Sequence, residues 1–164
     1  MMPRFFAYAA VALLALAGPM RAGTIPAPTG EVILSITGVE AEPVQFDRES
    51  LSSLGLETVK TSTIWTEGTQ TFEGVSLKAI TDALGIEDGM LFATAINDYT
   101  VEIPVNDAVE NGPIIALALN GEAMSIRDKG PLWVIYPYDS SAAYRTEVVY
   151  SRSIWQLDRI EVVD

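Results

Sequence analysis

The chain has 164 residues, 22 acidic and 10 basic side chains, a net charge of −12, and neither cysteine nor histidine. The acidic balance excludes electrostatic binding to nucleic acid or to an anionic membrane surface. The missing residue types exclude disulfides, thiol redox chemistry, zinc–cysteine sites, an imidazole base and a Ser-His-Asp triad.

Residues 1–22 read as a cleavable secretory signal. Arg4 supplies the positive start, Phe5 to Ala17 forms an uncharged apolar run, and small residues follow at Gly18, Ala22 and Gly23. That run is shorter than the ~20 residues a membrane-spanning helix needs. The expectation is therefore a periplasmic or secreted protein, cleaved after Ala22 and not inserted directly in a membrane afterwards. The mature chain keeps 8 basic residues against 22 acidic ones, a net charge of −14.

Residues 23–30 (GTIPAPTG) form a flexible Pro/Gly/Thr leader, and residues 31–164 are expected to fold as a single domain. Glu31 to Gly38 alternates as a strand, with Val32, Leu34 and Ile36 on one face. Asp47 is placed to cap a short helix that runs through Leu54 and stops at Gly55. Val59 to Thr63 is strand-like, and a polar loop through Trp65, Gly68 and Gln70 follows. The clearest helix begins at Ser76, with Leu77, Ile80 and Leu84 on one face and Gly85 as its stop. Leu91–Ile96 and Tyr99–Val105 read as a hairpin turning at Asn97-Asp98. Asn106 to Asn111 amounts to a helical turn at most. Ile114–Leu119 is a buried strand ended by the turn signal Asn120-Gly121, and Leu132–Tyr136 is an apolar strand closed by Pro137. Ser153–Val162 alternates as a final strand. Many strands with one main helix and short helices indicate a mixed, mostly β, α+β fold.

The order of several short motifs resembles the sulfite-oxidase-type molybdopterin-binding domain family over almost the whole mature chain. The motifs are Gly38-Val39 with Pro43 and Phe46, then Phe72 with Gly74-Val75 and Leu77, then Asp98-Tyr99. The most specific part is the ending: Asn120-Gly121-Glu122, Gly130-Pro131-Leu132, Pro137, Ser153-Ile154 and Arg159-Ile160-Glu161-Val162. The resemblance implies the sulfite-oxidase-like fold and a molybdopterin cofactor whose molybdenum is held by a cysteine thiolate. Counting back from Phe72 to the place of that cysteine reaches Thr61, Ser62 and Thr63, which carry hydroxyls instead. A high-pKa alkoxide is a poor substitute for a soft, anionic sulfur. The basic residue that follows Pro-Leu in the family is replaced by Trp133, and the histidines many relatives place around the cofactor are absent.

Five of the eight basic residues of the mature chain fall in its last 38 residues: Arg127, Lys129, Arg145, Arg152 and Arg159. Arg159 is expected to pair with neighbouring carboxylates. The other four are candidates for a pocket that takes a carboxylate, phosphate or oxyanion. Tyr138 and Tyr144 bracket a loop able to close over such a pocket, whereas Trp133 and Tyr136 belong to the core. Asp98 and Tyr99 are further ligand-binding candidates, and Asp98 and Asp139 are the best-placed carboxylates, but an aspartate at a turn ordinarily serves the backbone. No residue is therefore assigned a catalytic or metal-ligating role, and no cofactor is expected beyond the molybdopterin of the resemblance. The expected function is a non-catalytic module that binds a small anion or a periplasmic or membrane protein partner. The alternative is a molybdopterin-dependent oxidoreductase with non-cysteine metal coordination.

Overall fold

A computed structural model describes residues 25–164, so the signal expected at 1–22 lies outside the described residues. Residues 25–30 form no regular element, but the N–H groups of Thr29 and Gly30 both donate to Asp47 Oδ2 at 2.8 Å. Strand β1 (Leu34–Thr37) buries Leu34 and Ile36, as alternation requires, and pairs with β2 (Val44–Phe46). Asp47 then caps helix α1 (Arg48–Ser52). Its Oδ1 accepts from Ser50 N–H at 2.8 Å, and Ser50 Oγ accepts from the Asp47 N–H at 3.0 Å, a reciprocal cap. With four donors turned on it, the Asp47 carboxyl is held well below the usual aspartate range, chiefly by Ser50.

Strand β3 (Leu56–Ser62) and strand β4 (Thr69–Ser76) run antiparallel along their full length. The polar loop expected through Gln70 therefore ends at Gly68. Gln70 pairs with Thr61, and the Thr71 N–H bonds Asn120 Oδ1, which draws this stretch into the sheet. Gly74 is required in β4, because a Cβ there would lie 2.1 Å from the Ile115 carbonyl oxygen. Helix α2 (Leu77–Leu84) starts at the cap Ser76 and stops at Gly85, whose φ of 67° suits glycine. Strands β5 (Met90–Ala95) and β6 (Thr100–Pro104) form the expected hairpin. Strand β7 (Ile114–Leu119) turns at Asn120-Gly121, both at positive φ, into the short β8 (Glu122–Ala123). Strand β9 (Trp133–Ile135), helix α3 (Glu147–Arg152, capped by Thr146) and β10 (Leu157–Val163) complete the chain.

The final strand starts later than the alternation of Ser153–Val162 suggests. Gln156 has a positive φ of 53°, and the register shifts between Leu157 and Arg159. Leu157 and Ile160, three positions apart, are consequently both buried.

Two five-stranded sheets result. One has the order β2-β1-β10-β5-β6, with β1 and β10 parallel. The other has β3-β4-β7, with β8 and β9 placed end to end along the far edge of β7. The sheets are joined by Leu132–Val134 against Ile154–Leu157: Val134 N–H donates to the Ile154 carbonyl at 2.9 Å and Leu157 N–H to the Leu132 carbonyl at 3.1 Å. That seam positions the candidate site.

Candidate functional site

The first half of the site is a polar corner. β3 ends at Ser62, and the turn after Pro137 brings Asp139 onto it. The Asp139 carboxylate accepts from Ser62 N–H and from Ser62 Oγ–H, each at 2.6 Å, and the Asp139 N–H donates to Thr61 Oγ1 at 3.1 Å. The two Ser62 donors, helped by the charge of Arg145, hold the Asp139 carboxyl below the usual aspartate range. Thr61 is fully buried, and its hydroxyl also donates to the Ser62 carbonyl at 3.2 Å. Thr63 Oγ1 lies 2.7 Å from Thr66 Oγ1 and accepts from the Trp65 N–H at 3.0 Å. All three hydroxyls at the place of the family's cysteine are thus engaged within the protein.

The second half is aromatic. Trp65 leaves the β3–β4 connection and meets Trp133, Tyr138, Tyr150 and Trp155 edge to face, at centroid separations of 5.7 to 6.3 Å. Trp133 is fully buried beneath them and also contacts Phe72 at 5.5 Å. The Tyr138 hydroxyl donates to Ser153 Oγ at 2.6 Å, and burial pushes the phenol up to about 12. Burial raises the Tyr136 phenol further, and it donates to Asp107 Oδ2 at 2.7 Å. Beside the cluster opens a cavity of about 340 Å³, whose walls include Trp65, Asn97, Tyr99, Tyr150, Trp155 and Gln156.

The basic candidates do not converge on this cavity or on one another. Arg152 pairs with Asp107 at 2.9 Å, and Arg159 pairs with Asp98 and, at 3.0 Å, with Asp158. Arg145 donates to the Tyr138 carbonyl at 3.0 Å. Lys129 places its ammonium over two indoles, 5.4 Å from the Trp155 centroid and 5.8 Å from that of Trp133. Arg127 is exposed on a short 3₁₀ turn. Tyr138 is core, Tyr144 is half-buried against Tyr136, and Tyr99 alone among the tyrosine candidates borders the cavity. Sequence reasoning missed Trp65, Asn97, Trp155 and Gln156 as its walls. Their sequence signals are an aromatic in a polar loop, the Asn-Asp-Tyr turn and the concentration of aromatics from Trp133 to Trp155.

The solved sulfane dehydrogenase SoxCD of Paracoccus pantotrophus shares the fold, with a TM-score of 0.61 at 18% identity. The match covers 80% of this chain and 38% of that one, so the chain spans well under half of the dehydrogenase subunit it resembles. No curated protein matches the chain. The oxidoreductase molybdopterin binding domain pattern matches residues 24–162, which takes in both sheets, the Ser62–Asp139 corner and the aromatic cavity, and the chain belongs to that family.

Proposed function

We propose that this protein is an exported, non-catalytic binding module that keeps the molybdopterin-domain fold without the molybdenum chemistry. The observation that carries this reading is the Ser62–Asp139 pair. Ser62 Oγ–H already donates to a carboxylate, and ionising it there would set an alkoxide against that negative charge. The residues do not fit a molybdenum cofactor in another respect. A doubly charged phosphate needs converging donors, whereas Arg145, Arg152 and Arg159 are bound to a carbonyl or to carboxylates of the protein itself. The same pairing weakens the case for a small anion as ligand. It favours recognition through the aromatic cavity, by a small molecule or by a protein partner in the periplasm or at the membrane.

The test is metal and pterin analysis of protein purified from molybdenum-replete cells that make and export the cofactor. The expected result is far less than one molybdenum per chain and no pterin fluorophore. Stoichiometric molybdenum with pterin would establish the alternative, an oxidoreductase with oxygen-donor coordination.

A further inference from the structure

We infer that the cavity beside Trp65 is a binding site for an uncharged, flat heteroaromatic molecule of two or three fused rings. The inference deepens the binding-module reading and rests on it. At about 340 Å³ the cavity is at the small end of the range for ligand pockets, roughly 300–1,000 Å³. Trp65, Tyr99, Tyr150 and Trp155 give it aromatic walls, and Tyr99 and Trp155 keep 59% and 38% of their surface exposed. Exposed aromatic surface at the mouth of a cavity is a platform on which a flat ring stacks.

Charge decides the ligand class. An aromatic cage in an acidic protein would ordinarily suit an ammonium ligand. Here Lys129 already occupies the cation position over Trp155 and Trp133, so those indole faces are not free for an ammonium ligand. A phosphorylated or carboxylated ligand lacks a partner, because none of the lining residues is charged. What the lining does offer is amide chemistry. Asn97 Oδ1 accepts from the Tyr99 N–H at 3.2 Å, which leaves its NH₂ to donate. Gln156 donates through Nε2 to the Ile126 carbonyl at 2.7 Å, which leaves Oε1 with spare accepting capacity. One donor and one acceptor beside stacking walls match the edge of a nitrogen heterocycle.

Trp65, Trp133 and Trp155 are all the tryptophans of the chain, so intrinsic fluorescence reads this site directly. Caffeine, an uncharged and soluble two-ring heterocycle, is the probe, with glucose and tetramethylammonium as comparisons. Caffeine is expected to quench saturably, with a dissociation constant of about 1 mM or tighter. Tyr99→Ala and Trp155→Ala should each weaken it at least about tenfold, the scale of one lost stacking contact. Tyr99 is largely exposed, so its variant should keep the wild-type circular dichroism and Tm. In Lys129→Gln, tetramethylammonium should gain binding that the wild type lacks. No saturation by caffeine, wild-type affinity in both alanine variants, or stronger wild-type binding of glucose or tetramethylammonium would overturn the inference. The measurement is made on protein of known molybdenum content, so stoichiometric metal would refute the binding-module reading separately.

Discussion

Ser62 and Trp65 are three residues apart, yet they serve opposite kinds of surface. At Ser62 every hydroxyl and amide donor of the corner is matched by an acceptor within the chain, and a carboxylate fills the remaining space. At Trp65 the walls are apolar, the space beside them is open, and the amides of Asn97 and Gln156 keep unused capacity. The contrast separates a corner whose hydrogen bonds are closed within the chain from a cavity whose walls keep free surface. A polar corner satisfied from within has little to gain from a ligand, because binding would only exchange one set of hydrogen bonds for another. An aromatic cavity gains the whole of the buried surface.

The largest effect is expected at Trp133, the buried indole beneath the aromatic cluster. Trp133→Ala should cost about 3–5 kcal/mol, measured as a lower urea midpoint, with the remaining tryptophan emission shifted to longer wavelength. A stability unchanged by this variant would show that the cluster is not one packed unit. Tyr138→Phe removes a buried hydroxyl that ties the corner's turn to Ser153, and about 1 kcal/mol should be lost without change in caffeine quenching. A comparable loss of quenching would mean the two regions are coupled.

Asp139→Asn tests the corner by pH. The folded carboxyl lies below its ordinary value of 3.8, so the unfolded chain binds a proton more readily; the ion's contribution is full above about that value and is lost as pH falls through the lowered folded one. Wild-type Tm should fall as pH drops through 4, and the variant should show a shallower fall while starting lower at neutral pH. Some acid sensitivity should persist through Asp47, whose carboxyl is depressed in the same sense. Parallel acid limbs in the two proteins would remove Asp139 from the account. The smallest effect belongs to Lys129→Gln, about 0.5–1 kcal/mol for one partly exposed cation–π contact, read from thermal unfolding in low and high salt.

Local chemistry was legible in the sequence wherever a single residue decides an element. Asp47 and Ser76 as caps, Gly85 as a stop, and Asn97-Asp98 and Asn120-Gly121 as turns all act within a few residues of themselves. The family motifs carried the rest of the fold. The site was less legible because its decisive contacts are distant: Asp139 reaches Ser62 across 77 positions, and Trp65 meets Trp133 and Trp155 only once the two sheets are seamed. The shift between Leu157 and Arg159 hid a further detail, since a bulge reverses which residues face inward and alternation alone cannot reveal it. The clustering of basic residues near the C-terminus misled for a related reason. Proximity in sequence brought five cations into the last 38 residues, but the fold dealt three of them to separate partners.

The placement of β10 between β1 and β5 carries a consequence for how the chain comes into being. The hairpin of β5 and β6 and the pair of β1 and β2 have no edge in common until residues 157–163 slot between them. A nascent chain therefore holds two unfinished half-sheets until β10 has left the ribosome, and contacts of such long sequence separation form slowly. For a protein proposed to be exported, such a delay would suit passage through a translocation channel before the sheet is completed.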